Sequence, residues 1–180
     1  MLATPLPDAE EIRDNATFEA VLGALSRPGT VRDLPDPGPL CIALALLDRE
    51  CKVHSQDETL SARIVATGAA LVPAPEADHV FMAAASAEAL EVIARLDTGS
   101  HLYPDDGATL IVPAKIGEGQ ALQLTGPGIK SVERVCLDGI HPGFWALRAR
   151  LCAYPRGIEV LIHDGARLLA LPRSTTVTEV

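Results

Sequence analysis

Asp97-Thr98-Gly99-Ser100 is the string in this sequence closest in form to catalytic machinery. Aspartic-protease chemistry needs two carboxylates sharing one proton, so a single copy would require a symmetric dimer. It also needs the Asp on a loop after an apolar strand. Here Asp97 follows Glu91-Val92-Ile93-Ala94-Arg95-Leu96, an amphipathic helical pattern, and the string reads as a helix terminus stopped by Gly99. Cys51 and His54 have a Cys-x-x-His spacing, but zinc wants three or four convergent ligands. Three is an odd step, so the pair points to opposite faces of a strand, and ordinary packing is the better reading. Thr125-Gly126-Pro127-Gly128-Ile129-Lys130 combines a Gly-rich turn, a hydroxyl and an ammonium. A P-loop needs Gly-Lys-Ser/Thr opening a helix, whereas the residues that follow here look extended. The segment reads as a structural turn, with anion binding by its backbone amides still open although Pro127 removes one donor. His101, beside Tyr103, Asp105 and Asp106, is the best acid–base candidate, yet it sits in a polar connector and reads as solvated. Lys52, Lys115 and Lys130 are the three lysines, and none lies in an evident Schiff-base motif. No catalytic, cofactor-binding or metal residue is therefore assigned.

Composition narrows the remaining classes. A chain of 180 residues suits one domain, 1–180. With 3% aromatic residues the core must be built from Leu, Val, Ile and Ala, and the same scarcity argues against a stacking platform for bases. The net charge of −9 argues against a nucleic-acid partner. Charge is uneven: residues 1–129 hold 8 basic and 19 acidic side chains, and residues 130–180 hold 7 and 5, an asymmetry that can bias subunit docking. No stretch approaches the roughly 18 apolar residues of a membrane span. The acidic, Pro-containing start (Pro5, Pro7, Asp8, Glu10, Glu11) is the reverse of a basic secretory leader. A cytoplasmic location is expected, where Cys41, Cys51, Cys136 and Cys152 stay reduced.

The elements that must carry these residues alternate. Asp14 is a candidate N-cap for a helix whose apolar stripe is Phe18, Val21, Leu22 and Leu25. Arg27-Pro28-Gly29 stops it. Pro39 suits the first turn of a second helix, apolar all round from Leu40 to Leu47 and so buried. A strand at Lys52–His54, a helix from Asp57 to Thr67 closed by Gly68, and strands at Ala70–Val72 and His79–Ala83 follow. Ser86 N-caps a helix carrying Leu90, Ile93 and Ala94. After the Thr98–Gly107 connector come strands at Ala108–Val112 and Ala121–Leu124, then a helix in His141–Ala153 with Phe144, Leu147 and Leu151 aligned. Ile158–Ile162 and Arg167–Leu171 flank Asp164-Gly165, a hairpin signal. The pattern predicts an α/β fold with a mixed sheet flanked by helices.

Three segments together resemble the H-subunit family of carbon–phosphorus lyase. They are Phe18-x-x-Val21-Leu22-x-Ala24-Leu25-Ser26-x-Pro28-Gly29, then Leu124-Thr125-Gly126-Pro127-Gly128-Ile129. The third is the closing unit, Tyr154-Pro155-Arg156-Gly157-Ile158-Glu159 through Leu171-Pro172-Arg173-Ser174-Thr175-Thr176-Val177. Tyr154 and Glu159 stand where that family commonly has Phe and Asp, and the extra methylene at Glu159 could shift a fixed hydrogen bond. The resemblance implies a homodimeric, non-catalytic subunit that joins subunits G, I and J. Their complex makes ribose 1-phosphonate 5-triphosphate from ATP and an alkylphosphonate during phosphonate catabolism. It also implies a fold related to the large domain of PLP-dependent transferases, without the cofactor. Ser26, Arg27, Pro28, Gly29, Thr125, Gly126, Gly128, Arg156, Glu159, Pro172, Arg173, Thr175 and Thr176 are the candidate interface or anion contacts. For Arg173 three roles stay open: subunit contact, internal hydrogen bond, or anion binding. The rival reading is a phosphonate- or nucleotide-binding module, or small-molecule enzyme, acting alone.

Overall fold

The computed structural model describes residues 6–180. Helix α1 (Ala9–Ser26) opens on a capping box: Asp8 accepts the amides of Glu10 and Glu11, and the Glu11 carboxylate accepts the Asp8 amide. The helix therefore starts before Asp14, which lies inside it. Its buried face also differs from the predicted stripe. Thr17, Ala20, Val21 and Ala24 are buried, while Phe18 and Leu22 are 49% and 56% exposed. Small side chains bring α1 close to its neighbours, and the Thr17 hydroxyl is satisfied by the Arg13 carbonyl at 3.0 Å.

The chain then runs through β1 (Arg32–Asp33), α2 (Pro39–Leu46), β2 (Lys52–Ser55), α3 (Glu58–Val65), β3 (Ala70–Leu71) and β4 (His79–Phe81). It continues with α4 (Ala87–Ile93), β5 (Thr109–Pro113), β6 (Lys115–Thr125), β7 (Glu133–Asp138), α5 (Gly143–Leu151), β8 (Glu159–Asp164), β9 (Arg167–Leu171) and β10 (Thr176–Glu179). Pro39 occupies the first turn of α2, Asp57 caps α3, and Ser86 caps α4.

Seven strands form one mixed sheet in the order β1-β9-β8-β5-β4-β2-β3. The strands β8, β5, β4, β2 and β3 run parallel, and β9 pairs antiparallel with both β8 and β1. Parallel strands buried on both faces need continuous apolar runs. In β8, Val160 and Ile162 face one core with α4 and α5, and Leu161 faces the other with α1, α2 and α3. The β8–β9 hairpin pairs Asp164 with Arg167, so its loop is Gly165-Ala166, one residue later than predicted.

A second, three-stranded antiparallel sheet, β10-β6-β7, covers part of the first. Residue patterning predicts only Ala121–Leu124 of β6 and neither β7 nor β10. The reason is visible in β6: Gly117 and Gly119 interrupt its alternation where the β6–β7 register shifts between Ile116 and Gln120. A carboxylate ties the two sheets together. Asp164 accepts the Ile116 amide at 3.1 Å, the Lys115 ammonium at 3.1 Å and the Arg167 guanidinium. These contacts, the Ile116 amide foremost, hold its pKa down to about 2. A depressed carboxylate stabilises the fold above the usual Asp pKa of about 4, and that contribution disappears as pH falls through about 2. Denaturant melts between pH 5 and pH 2 should therefore fall less steeply with acid in Asp164→Asn than in the parent. Parallel pH curves would remove Asp164 from the acid response.

Candidate functional site

The three sequence motifs, spread over residues 18–177 of the chain, meet at one junction. Gly128 packs against the Ser26 carbonyl and Pro28, so the end of α1 sits on the turn after β6. Gly126 lies under Ser174 and Thr175; a Cβ there would stand 2.7 Å from the Ser174 carbonyl oxygen. Both glycines have φ in the left-handed region, 82° and 135°, which makes the turn depend on their lacking a Cβ. Gly29 packs against Glu133 and Leu124, and Thr125 pairs with Thr176 across β6 and β10. The Ser26 hydroxyl donates to Gly23 O at 3.1 Å, and Arg27 forms the C-cap of α1.

Two arginines pin the segment that carries the chain from β9 to β10. Arg173 donates its backbone amide to Glu159 Oε2 at 2.8 Å and its Nε to Glu159 Oε1 at 2.5 Å. Its Nη1 donates to the carbonyls of Pro104 and Pro155. The pair is mostly buried, with side chains 16% and 20% exposed. Of the three roles open for Arg173, the internal hydrogen bond is the one this geometry displays. The longer arm of Glu159 reaches both groups of Arg173 at once.

The second arginine is Arg148 on α5, which the motif reading missed. It is 2% exposed and donates to the carbonyls of Thr175 at 2.9 Å, Pro172 at 2.5 Å and Leu171 at 3.3 Å. Burial pushes its guanidinium pKa down, which the charges of Cys152 and Glu159 oppose. A signal was present: Arg148 follows Phe144 by four and Leu147 by one, which places a charge on the apolar face of the helix. Buried polar atoms without partners also cluster here, namely Arg148 Nε, Arg156 Nε and Thr175 Oγ1. Pro172 and Thr175 are thus spoken for by Arg148, while Thr176 is exposed.

The catalytic-looking strings lie elsewhere. Asp97 accepts the Gly99 amide at 2.8 Å in a turn after α4. Cys51 bonds towards Leu46 and Asp48, and His54 Nδ1 sits 3.2 Å from Val72 O. Among the described residues no group of three or more His, Cys, Asp or Glu side chains is placed to hold a metal ion. No described helix is long and apolar enough to cross a membrane.

A cavity of about 350 Å³ opens at the carboxyl ends of β2, β4, β5 and β8. From β2 the chain goes outward to β3 and from β4 it goes the other way to β5, so this is the crevice where open α/β sheets hold ligands. Gln56, Asp57, Leu60, Phe81, Met82 and His163 line it, with no lysine or arginine. Asp57 is committed to the Thr59 and Leu60 amides, and burial lowers the pKa of His163, which favours a neutral ring. Among the described residues that line it, the crevice thus offers no lysine or arginine to a phosphate or phosphonate and no amine for a Schiff base.

Residues 8–178 match the family described as bacterial phosphonate metabolism protein (PhnH). The chain is 32% identical to a Stutzerimonas stutzeri protein named as C-P lyase subunit protein HtxG, over 98% of this chain and 94% of that one. It is 27% identical to a Rhizobium meliloti (strain 1021) protein over 96% of this chain and 92% of the relative. That relative is named alpha-D-ribose 1-methylphosphonate 5-triphosphate synthase subunit PhnH.

Proposed function

The chain belongs to the PhnH family of bacterial phosphonate metabolism proteins, and from that premise we propose that it is a non-catalytic assembly subunit of a carbon–phosphorus lyase core complex. Its partners are a second copy of itself and subunits G, I and J. The assembled complex makes ribose 1-phosphonate 5-triphosphate from ATP and an alkylphosphonate in the cytoplasm. The observation that carries this reading is near end-to-end similarity to relatives named as subunits.

The site geometry agrees. Polar groups of the shared motifs help to hold a junction together, and Arg173 and Arg148 donate to internal acceptors. Such a junction fixes the shape of a surface. Candidate contact groups are the exposed Phe18 and Leu22 of α1, the Ser26–Gly29 corner and the Thr125–Gly128 turn. Kinship with the large domain of PLP-dependent transferases is supported by the mixed sheet covered by helices on both faces. Loss of the cofactor is supported by the lysine-free crevice.

Co-expression of the tagged chain with subunits G, I and J should yield one co-purifying complex, and the purified chain alone should not turn over ATP with an alkylphosphonate. Turnover by the isolated chain would overthrow the assembly reading. Arg173→Ala should lower complex yield by loosening the segment before β10; an undiminished yield would leave Arg173 as an internal brace alone.

The crevice favours one alternative, a ligand-binding module acting by itself. Thermal shift separates the two, since a ligand at 100 times its dissociation constant adds about 2.7 kcal/mol. No shift is expected with ATP, alkylphosphonate or PLP, and a saturable shift with any of them would revive this alternative.

A further inference from the structure

Four strands form the outer edges of the two sheets, and three of them carry the usual protections against pairing with another chain. The edges β1 and β3 are two residues long, and β7 carries Glu133, Arg134 and Asp138. Short length and charge are both standard ways to blunt an edge. The fourth edge, β10, reads Thr176-Val177-Thr178-Glu179: mostly β-branched, with one charge and no proline. It is exposed along most of its length.

The hydrogen-bond phase of β10 shows which of its groups are free. Val180 donates to Ala121 O at 3.2 Å, so Val180, Thr178 and Thr176 are the residues that exchange bonds with β6. The amides and carbonyls of Val177 and Glu179 must then point outward. Within the described residues neither has a backbone hydrogen-bond partner on that side.

We infer that β10 pairs antiparallel with β10 of a second copy of this chain, joining the two small sheets into one six-stranded sheet. The inference rests on the assembly reading above and names the strand through which the copies meet. Two-fold symmetry allows such self-pairing, because the same edge supplies both sides. Hydrogen-bond phase and charge then select the register. Centring the axis on Thr178 places Val177 opposite Glu179 of the second copy, and the outward amides and carbonyls face one another. It also sets the two Thr178 side chains directly opposite, a favourable cross-strand pair. Centring on Glu179 would oppose two carboxylates, and centring on Val177 would set Glu179 opposite Thr175, whose amide and carbonyl are already taken by Pro172 O and Arg148. The Glu179 side chain is already held by Gln120 Nε2 at 2.5 Å, and Gln120 in turn accepts the Trp145 indole N–H at 3.1 Å. Its charge is thereby anchored on its own protomer.

The register makes a sharp test. Opposed residues at a non-hydrogen-bonded antiparallel site have Cα atoms about 4.5 Å apart, within disulfide reach. Mild oxidation of the full-length Thr178→Cys variant should produce a covalent dimer. Thr176→Cys, which faces Val180 of the second copy and lies away from the axis, should not do so beyond the background from the native cysteines. In sedimentation runs, Thr178→Lys should raise the dimer dissociation constant at least ~10-fold by opposing two ammonium groups, with unchanged far-ultraviolet circular dichroism. Equal cross-linking at the two positions, no cross-linking at Thr178, or a Thr178→Lys variant that dimerises like the parent would each overturn the pairing. If the chain still co-purifies with subunits G, I and J in those cases, only the strand assignment has failed. If it binds none of them while cross-linking through Thr178→Cys, the assembly reading has failed and the strand pairing stands.

Discussion

Replacing Arg148 by alanine should destabilise the fold by about 3 kcal/mol or more, which for a chain of this size lowers the melting temperature by roughly 6–12 °C. The side chain is 2% exposed and serves three carbonyls, of Leu171, Pro172 and Thr175, of which Pro172 O also accepts the Thr175 amide at 2.9 Å. Each acceptor left buried without a donor costs about 1–3 kcal/mol, and the missing guanidinium leaves a hole beside α5. Arg148→Met separates the two effects, because it restores most of the volume and none of the donors. Denaturant melts should place it much nearer to alanine than to the parent. A Met variant as stable as the parent would mean that water or a relaxed backbone satisfies those carbonyls.

Replacing Gly128 by alanine should cost about 2–4 kcal/mol. Its φ of 82° lies in the left-handed region, where a Cβ costs about 1–2 kcal/mol by itself. The added carbon would also strike the Ser26 carbonyl oxygen and stand 2.9 Å from Pro28 Cδ. Something must move, and the end of α1 is what rests on that turn. Gly117 supplies the control: its φ is 96°, but nothing lies within 4 Å of the position a Cβ would take. Gly117→Ala should therefore show the backbone strain alone, and the difference between the variants measures the contact between α1 and the turn. Equal losses would mean that the junction adds nothing beyond the strain at Gly128.

The places where residue patterns misled share a cause. In α1, Phe18 and Leu22 have helical spacing and apolar character, yet the buried face is Thr17, Ala20, Val21 and Ala24. Periodicity finds a stripe but cannot tell whether the stripe faces this chain's core or another protein. The small side chains won because α1 has to lie close to α2 and β9. The capping box of Asp8 and Glu11 starts the helix ahead of the first apolar repeat, so the stripe alone points to a later start at Asp14. In the Asp164 hairpin both pairing strands were legible, but the turn slipped by one residue because Asp164 is held by Lys115, Ile116 and Arg167 rather than by the loop.

The α/β class, the end of α1 at Arg27-Pro28-Gly29, Pro39 opening α2 and the caps Asp57 and Ser86 were settled by local chemistry: fixed φ, missing donors and short polar side chains act over three or four residues. Motif order likewise sufficed to place the chain beside the phosphonate-metabolism subunits. Only the tertiary structure decided that the three motifs form one junction, that Arg173 turns inward to Glu159, and that Arg148 holds the segment leading to β10. Those outcomes depend on which distant backbone groups are left without partners once the two sheets have packed, and nothing within a few residues of an arginine carries that information.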